Sequence, residues 1–114
     1  MSMRLTLGEF QQMAWEIAEA QGHHEGLRDL SARDQLLIRC AFLHGEVSEI
    51  ADLAKKYGVE EQRLAIAHEC ADVFILLAEL AEEYDIDLET AVLAKMAANR
   101  ERPYAYGTPR ERKE

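Results

Sequence analysis

Two long helical patterns that are separated by only two residues dominate this 114-residue chain. The first covers residues 32–57 and the second covers residues 60–84, and both repeat apolar side chains at three- and four-residue spacing. Because the connection is so short, the two helices are expected to pack together as an antiparallel hairpin. No strand pattern occurs, and the chain has only 6 glycines and 2 prolines for turns. A turn-rich β fold is therefore not expected.

Two shorter helical patterns flank this hairpin. Residues 7–21 follow a capping box made by Thr6 and Glu9, which marks the start of a helix. Residues 87–100 begin with an aspartate of the N-cap type and end before Pro103. The two long helices are apolar on more faces than the helices of a single chain can cover. The sequence therefore predicts an all-α fold, in which a four-helix, bundle-like protomer assembles into a helical dimer or tetramer.

The length of the chain fits one domain and leaves no room for two. We assign residues 1–107 to that domain and expect the charged residues 108–114 to form a flexible tail. No secretory leader is visible, and charged residues interrupt the most apolar stretch, so no membrane span is expected. Cys40 and Cys70 lie in apolar runs without a CxxC motif. They are expected to be buried reduced thiols, which favours a cytoplasmic protein.

The charge of the chain limits its partners. Its 13 Lys and Arg residues against 22 Asp and Glu residues give a net charge of −9. A general nucleic-acid binder needs a basic surface for phosphate contacts, so that class is not expected. A small phosphorylated ligand is still compatible with this charge, because a bound divalent cation can reverse the local sign.

Two acidic pairs interrupt apolar faces of the two long helices. Glu46 and Glu49 are three residues apart on one helix, and Glu69 and Asp72 repeat that spacing on the next. This spacing stacks the side chains of a pair on one face, and an antiparallel hairpin brings the two pairs level. Oxygen ligands without Cys or His suit Mg²⁺ or Mn²⁺. The four carboxylates therefore predict a divalent metal site, against the alternative of solvated acids on the edges of a bundle.

Cationic and polar side chains follow on the fourth helical pattern. Lys95 and Asn99 are in line with its apolar residues, and Arg102 and Tyr104 come shortly after. On its own this group is compatible with a basic helix end that complements the helix dipole. Beside four carboxylates and a metal ion, it predicts contacts to the phosphates of a nucleotide.

The order of these motifs resembles the signature of the MazG-like, all-α nucleoside triphosphate pyrophosphohydrolases. The similar segments are EVSE, ECAD and KMAANRERPY, and the resemblance covers roughly residues 32–107. It implies Mg²⁺-dependent cleavage of a nucleoside triphosphate between its α and β phosphates, with a nucleoside monophosphate and pyrophosphate as products. It also implies dimers or tetramers whose sites are built at subunit interfaces.

The resemblance also implies roles for single residues. The four carboxylates would be metal ligands, and the phosphates would be met by Lys95, Asn99, and Arg102 or Tyr104. Within the mechanism, Glu46 would orient or deprotonate the attacking water, and Lys95 would stabilise developing negative charge. Leu76 departs from relatives that carry an aromatic residue one turn after the motif aspartate, so the resemblance does not indicate which base is selected.

Trp15 lies off the apolar stripe of the first helix, which contains Leu7, Phe10, Ala14 and Ile17. It is expected to face a partner chain, a ligand or water. Stacking on a nucleotide base and a contact between subunits are both open.

Three other functions are alternatives for a chain with these motifs. A di-iron carboxylate bundle needs Glu-x-x-His pairs, and the sequence has none. A phosphoribosyl-ATP pyrophosphatase would share the fold and the chemistry, and only substrate assays would separate the two. A non-catalytic helical dimerisation module is the alternative from another class, and it predicts no metal-linked stability.

Overall fold

A computed structural model describes residues 4–102 in full and the backbone of residues 104–105 and 108–109. The helices are α1 (Leu7–Ala20), α2 (Ala32–Tyr57), α3 (Arg63–Glu83) and α4 (Leu88–Arg100). A short 3-10 turn, Glu25–Leu27, lies between α1 and α2. The predicted all-α class is confirmed. None of the described helices is long and apolar enough to cross a bilayer.

The ends of the helices follow local sequence signals. Thr6 Oγ1 accepts a hydrogen bond from the Glu9 backbone at 3.0 Å, and Glu9 Oε1 accepts one from the Thr6 backbone at 2.9 Å. This is the predicted capping box. Ser31 caps α2 by accepting from the Asp34 backbone at 3.1 Å. Helix α2 ends at Gly58, whose φ of 84° disfavours any residue with a side chain.

Helix α3 begins three residues later than predicted, at Arg63. Glu60, which was expected to start the helix, instead accepts hydrogen bonds at 2.7 Å from the Arg63 guanidinium within the turn. The helix ends before Asp85, which has a φ of 54°, and the Ile86 backbone donates back to the Ala81 carbonyl at 2.9 Å. Aspartate tolerates this left-handed conformation better than most residues.

A short β pair follows the helices. Strands β1 (Tyr104–Ala105) and β2 (Thr108–Pro109) are antiparallel, with Tyr104 opposite Pro109. The sequence did not predict strands because two residues are too few to show an alternating pattern. The expected tail over residues 108–114 therefore begins within a strand, and its residues 110–114 lie outside the described part.

Helix α3 is the centre of the chain, because it packs against α2 on one side and α1 on the other. Helix α4 has its main contact with α1 only. Every residue of α4 except Leu88 is exposed, including Val92 at 37% and Met96 at 56%. The expectation that the apolar stripe of the fourth helix faces inward is therefore wrong within a single chain.

The buried face of α1 is rotated from the predicted one. Gln11, Ala14 and Ala18 are buried, whereas Ile17 is 53% exposed. The Gln11 amide donates to the Ile86 carbonyl at 2.6 Å and to Glu82 at 3.0 Å. A polar side chain therefore joins α1 to the end of α3, which a count of apolar residues does not detect.

The two cysteines are not both buried. Cys40 is half-buried and Cys70 is exposed. Cys70 lines an apolar groove of about 660 Å³ between α1 and α3, together with Phe10 and Phe74. The sequence placed Cys70 correctly on an apolar face, but the described chain leaves that face open.

Candidate metal site

Three acidic side chains of the hairpin meet between α2 and α3. One carboxylate oxygen each from Glu46, Glu49 and Glu69 lies within 4.8 Å of the other two. The i, i+3 spacing places Glu46 and Glu49 on one face of α2, and the antiparallel α3 brings Glu69 opposite them. We call these three residues the carboxylate cluster. The structure thus brings together three of the four predicted metal ligands.

None of the ion pairs among the described residues involves the carboxylate cluster. Glu46 Oε2 and Glu69 Oε2 are buried, and neither accepts a hydrogen bond from an N–H or hydroxyl donor of the described residues. The pKa of Glu69 is raised to about 7, first because its proton is shared with Glu46 and then with Glu49, with desolvation and both charges adding to the effect. Near neutral pH the cluster therefore needs either a proton or a cation.

The donor set fits a hard divalent cation. Carboxylate oxygens are the ligands that Mg²⁺ and Mn²⁺ prefer, and two buried oxygens of the cluster have lone pairs that nothing else in the described chain uses. Among residues 4–102, no other group of three or more His, Cys, Asp and Glu side chains is close enough to share an ion. Glu46, Glu49 and Glu69 are therefore the residues that could hold a metal.

Asp72, the fourth predicted ligand, is not part of the carboxylate cluster. It lies on α3 one turn after Glu69, and its side chain is exposed. Asp72 therefore lies on the exposed surface of α3 next to the carboxylate cluster.

A cavity of about 320 Å³ opens beside the carboxylate cluster. Glu49 and Glu69 line one part of it, and Lys56 and Tyr57 line another. Lys56 is therefore a cation near the cluster that the sequence analysis did not select. Its position seven residues after Glu49 on α2 was the available signal, because that spacing keeps both on one face.

The predicted phosphate-binding residues lie elsewhere in the chain. Lys95, Asn99 and Arg102 are all exposed on α4 or just after it, and α4 makes no substantial contact with α2 or α3. The backbone of Tyr104 belongs to β1, and its side chain lies outside the described part. The described part of a single chain therefore does not bring Lys95, Asn99 or Arg102 to the carboxylate cluster.

Trp15 is half-buried and makes contacts within the chain. Its indole N–H donates to Glu83 Oε2 at 2.7 Å, and its ring stacks on His24 with centroids 5.2 Å apart. The residue joins α1 to the end of α3 and to the loop. The predicted stacking of a base on Trp15 would therefore have to use the part of the indole ring that His24 does not cover.

The segment GHHEGLRDL, residues 22–30, has the sequence of a solvated loop, but only 5% of His24 is exposed. Its Nδ1 lies 2.7 Å from Glu19, which also pairs with Arg28, and its Nε2 lies 3.7 Å from Glu79. These polar contacts hold the loop against the helices.

A second cavity lies along the same α2–α3 interface. It has a volume of about 310 Å³, and His24, Arg39 and Glu79 line it together with Phe42 and Leu76. Only 8% of Arg39 is exposed, yet its Nε and Nη2 donate to no acceptor in the described residues. We call this space the arginine cavity.

Charges in the arginine cavity are mixed. Burial raises the pKa of Glu79, and His24, His23 and Arg39 oppose that shift. Arg39 Nη2 lies 3.8 Å from Glu83 Oε2, which is close enough for attraction and too far for a hydrogen bond. The sequence pattern did not single out Arg39 or Glu79. The available signal was that Arg39 interrupts an apolar stripe seven residues before Glu46, as the acidic residues do.

Comparisons with known proteins add no relative to this description. No protein-family model matches the chain, and no characterised protein matches its sequence. The resemblance to the MazG-like enzymes therefore stays a prediction from the motifs.

Proposed function

We propose that this protein is a Mg²⁺-dependent nucleoside triphosphate pyrophosphohydrolase. The observation that supports this most directly is the carboxylate cluster, in which three acids converge within 4.8 Å and two buried oxygens have no donor. Near neutral pH such an arrangement takes up either a proton or a cation, and a bound divalent cation would allow an acidic protein to bind a triphosphate. The order of the motifs is consistent with the same activity.

In this proposal, Glu46, Glu49 and Glu69 hold the ion, with Asp72 as a further ligand if α3 adjusts. Bound Mg²⁺ supplies charge neutralisation for phosphate oxygens and makes a water molecule more acidic. Glu46 accepts the proton of the attacking water, whose oxygen forms a new bond to phosphorus. The bond between the bridging oxygen and the attacked phosphorus breaks, and pyrophosphate and a nucleoside monophosphate separate.

Lys95, Asn99 and Arg102 are proposed to reach the phosphates from a second copy of the chain. Helix α4 is exposed along its length, and Leu93 and Met96 are 64% and 56% exposed. The apolar groove beside Phe10 and Phe74 is open as well. Covering these surfaces by self-association would bring α4 of one chain near another, so we propose at least a homodimer.

A non-catalytic dimerisation module is the second candidate function. The exposed apolar side chains of α2, α3 and α4 favour it, because large apolar patches commonly mark interaction surfaces. This candidate gives the carboxylate cluster no role.

The experiment that separates the two is product analysis. Purified protein is incubated with each common ribo- and deoxyribonucleoside triphosphate and with phosphoribosyl-ATP, in Mg²⁺ or in EDTA. We expect pyrophosphate and a monophosphate in Mg²⁺ only. Release of single phosphates would contradict the mechanism, and no release from any substrate would favour the dimerisation module.

A further inference from the structure

The carboxylate cluster and the arginine cavity lie on one continuous face of the hairpin. On α2 this face contains Arg39, Phe42, Glu46 and Glu49, at spacings of three and four residues. On α3 it contains Glu69, Leu76 and Glu79, which run in the opposite direction. The two sites are thus neighbours along the same interface.

The separation of the two sites suits a nucleotide. Arg39 precedes Glu46 by seven residues, which is about 10 Å along an α-helix. A ligand held by its phosphates at the carboxylate cluster would extend its sugar and base along the hairpin toward the arginine cavity. At about 310 Å³, the cavity is large enough for a base.

The arginine cavity contains polar groups that no described residue satisfies. Arg39 Nε and Nη2 and His24 Nε2 are all buried without a hydrogen-bond partner. A buried polar group without a partner costs about 1–3 kcal/mol, and the cost is larger for a charged group. Three such atoms around one cavity indicate a polar ligand rather than an apolar one.

The geometry of an arginine fork narrows the chemistry of that ligand. The Nε–H and Nη2–H donors lie on one edge of the guanidinium plane, so they match two neighbouring acceptors. Guanine presents such a pair at O6 and N7, and cytosine presents one at O2 and N3, with an N–H donor next to it in both bases. Thymine has N3–H between its two carbonyl oxygens, and adenine has its N6 amino group beside N1 and N7 and a single acceptor, N3, on its other edge, so neither base offers such a pair.

We propose that the arginine cavity binds the base of the nucleotide and selects guanine or cytosine. Arg39 donates to the two neighbouring acceptors, and Glu79 accepts from the adjacent N–H of the base. Phe42 and Leu76 provide apolar contacts for the faces of the ring. This inference rests on the proposed function for the position of the phosphates, while the selection itself depends only on the cavity.

Binding is measured first without metal or catalysis. Trp15 is the only tryptophan, and it stacks on His24, which lines the cavity, so its fluorescence reports occupancy. In EDTA, dGMP or dCMP should change the fluorescence at concentrations about 10-fold lower than dAMP or dTMP. Inorganic phosphate serves as the probe for simple anion binding.

Two substitutions at Arg39 test the fork. Arg39→Lys keeps the charge and Arg39→Met keeps the length without charge, and both should reduce the preference for the guanine and cytosine nucleotides by about 10-fold or more. Arg33→Met is the matched control, because the Arg33 side chain is 84% exposed at the start of α2 and should leave the preference intact. Thermal melting checks that each variant is folded.

The outcomes separate this inference from the proposed function. Base-selective binding that Arg39→Lys abolishes supports the cavity even if no pyrophosphate is ever released. Equal response to all four bases, response to phosphate alone, or selectivity that folded Arg39→Lys retains would overturn it. Pyrophosphate release with equal rates for all four bases would leave the proposed function standing and overturn only the base site.

Discussion

The carboxylate cluster and the arginine cavity, at the two ends of the hairpin face, differ in how their buried polar groups are paired. The carboxylate cluster brings three carboxyl groups together without an ion-pair partner among the described residues, and the pKa of Glu69 is raised to about 7. The arginine cavity instead places Arg39 3.8 Å from Glu83 and His24 3.7 Å from Glu79. The first region needs a proton or a cation from outside the chain, whereas the second places acidic and basic side chains side by side and leaves hydrogen-bond donors unused.

This difference has a consequence for function. A cluster that takes up either a proton or a cation near neutral pH is suited to hold a metal and its phosphate ligand. A cavity with unused hydrogen-bond donors is suited to recognise the shape and hydrogen-bonding pattern of an uncharged group. Substitutions in the two regions should therefore affect different properties of the protein.

The largest effect is expected from Glu69→Gln. It replaces a metal ligand that lies opposite Glu46 and Glu49, so pyrophosphate release should fall by about 10²-fold or more and metal-induced stabilisation should be lost with it. Initial rates and melting curves measure the two effects. Glu16→Gln, an exposed substitution on α1, is the control and should change neither. Full activity of Glu69→Gln would place the chemistry elsewhere.

Lys95→Ala is expected to separate catalysis from metal binding. The substitution leaves the carboxylate cluster intact, so the stabilisation by Mg²⁺ should survive. Pyrophosphate release should fall by about 10²-fold, the scale for one preorganised charge-stabilising group. Mixing Lys95→Ala with Glu69→Gln subunits should restore part of the activity if Lys95 acts across a subunit interface. No recovery in confirmed mixed oligomers would contradict that arrangement.

The effect of Mg²⁺ on stability should differ between the two regions. At about 100 times its dissociation constant, a ligand of the folded state adds roughly 2.7 kcal/mol to the free energy of unfolding. Mg²⁺ should therefore raise the melting temperature of the wild type and of Glu79→Gln, but not that of Glu69→Gln. If Glu79→Gln lost the shift in melting temperature while Glu69→Gln kept it, the metal would bind at the arginine cavity and not at the carboxylate cluster.

A smaller effect is expected from pH in the absence of metal. The pKa of Glu69 is raised from 4.5 to about 7 in the folded chain, so the folded state binds this proton more tightly than the unfolded state. Stability from this group is fully present below about pH 4.5 and is lost as the pH rises through about 7. Melting curves in EDTA should show the loss, and Glu69→Gln should remove this part of it.

The sequence was most informative where a local pattern decides the structure. The capping box of Thr6 and Glu9 and the N-caps Ser31 and Asp87 mark helix starts that depend only on neighbouring residues. The meeting of Glu46, Glu49 and Glu69 followed from helical spacing and a short turn, because these two facts fix the relative positions of residues on a hairpin.

The sequence was least informative where polar side chains pair across distant elements. Gln11 bonds to the end of α3, and His24 and Trp15 pack on α3 from the loop and from α1. Apolar periodicity cannot reveal such contacts. The exposure of α4 was also missed, because the apolar spacing of a helix does not say which surface covers its stripe, and α4 contacts mainly α1 in the described chain.

The most direct test of the account is calorimetric titration of the metal-free protein with Mn²⁺, a chemically close substitute for Mg²⁺ at oxygen sites. We predict saturable binding by the wild type and by Glu79→Gln, and greatly weakened binding by Glu46→Gln and Glu69→Gln. Absence of binding by the folded wild type, or equal binding by all four proteins, would contradict the claim that the carboxylate cluster is a metal site.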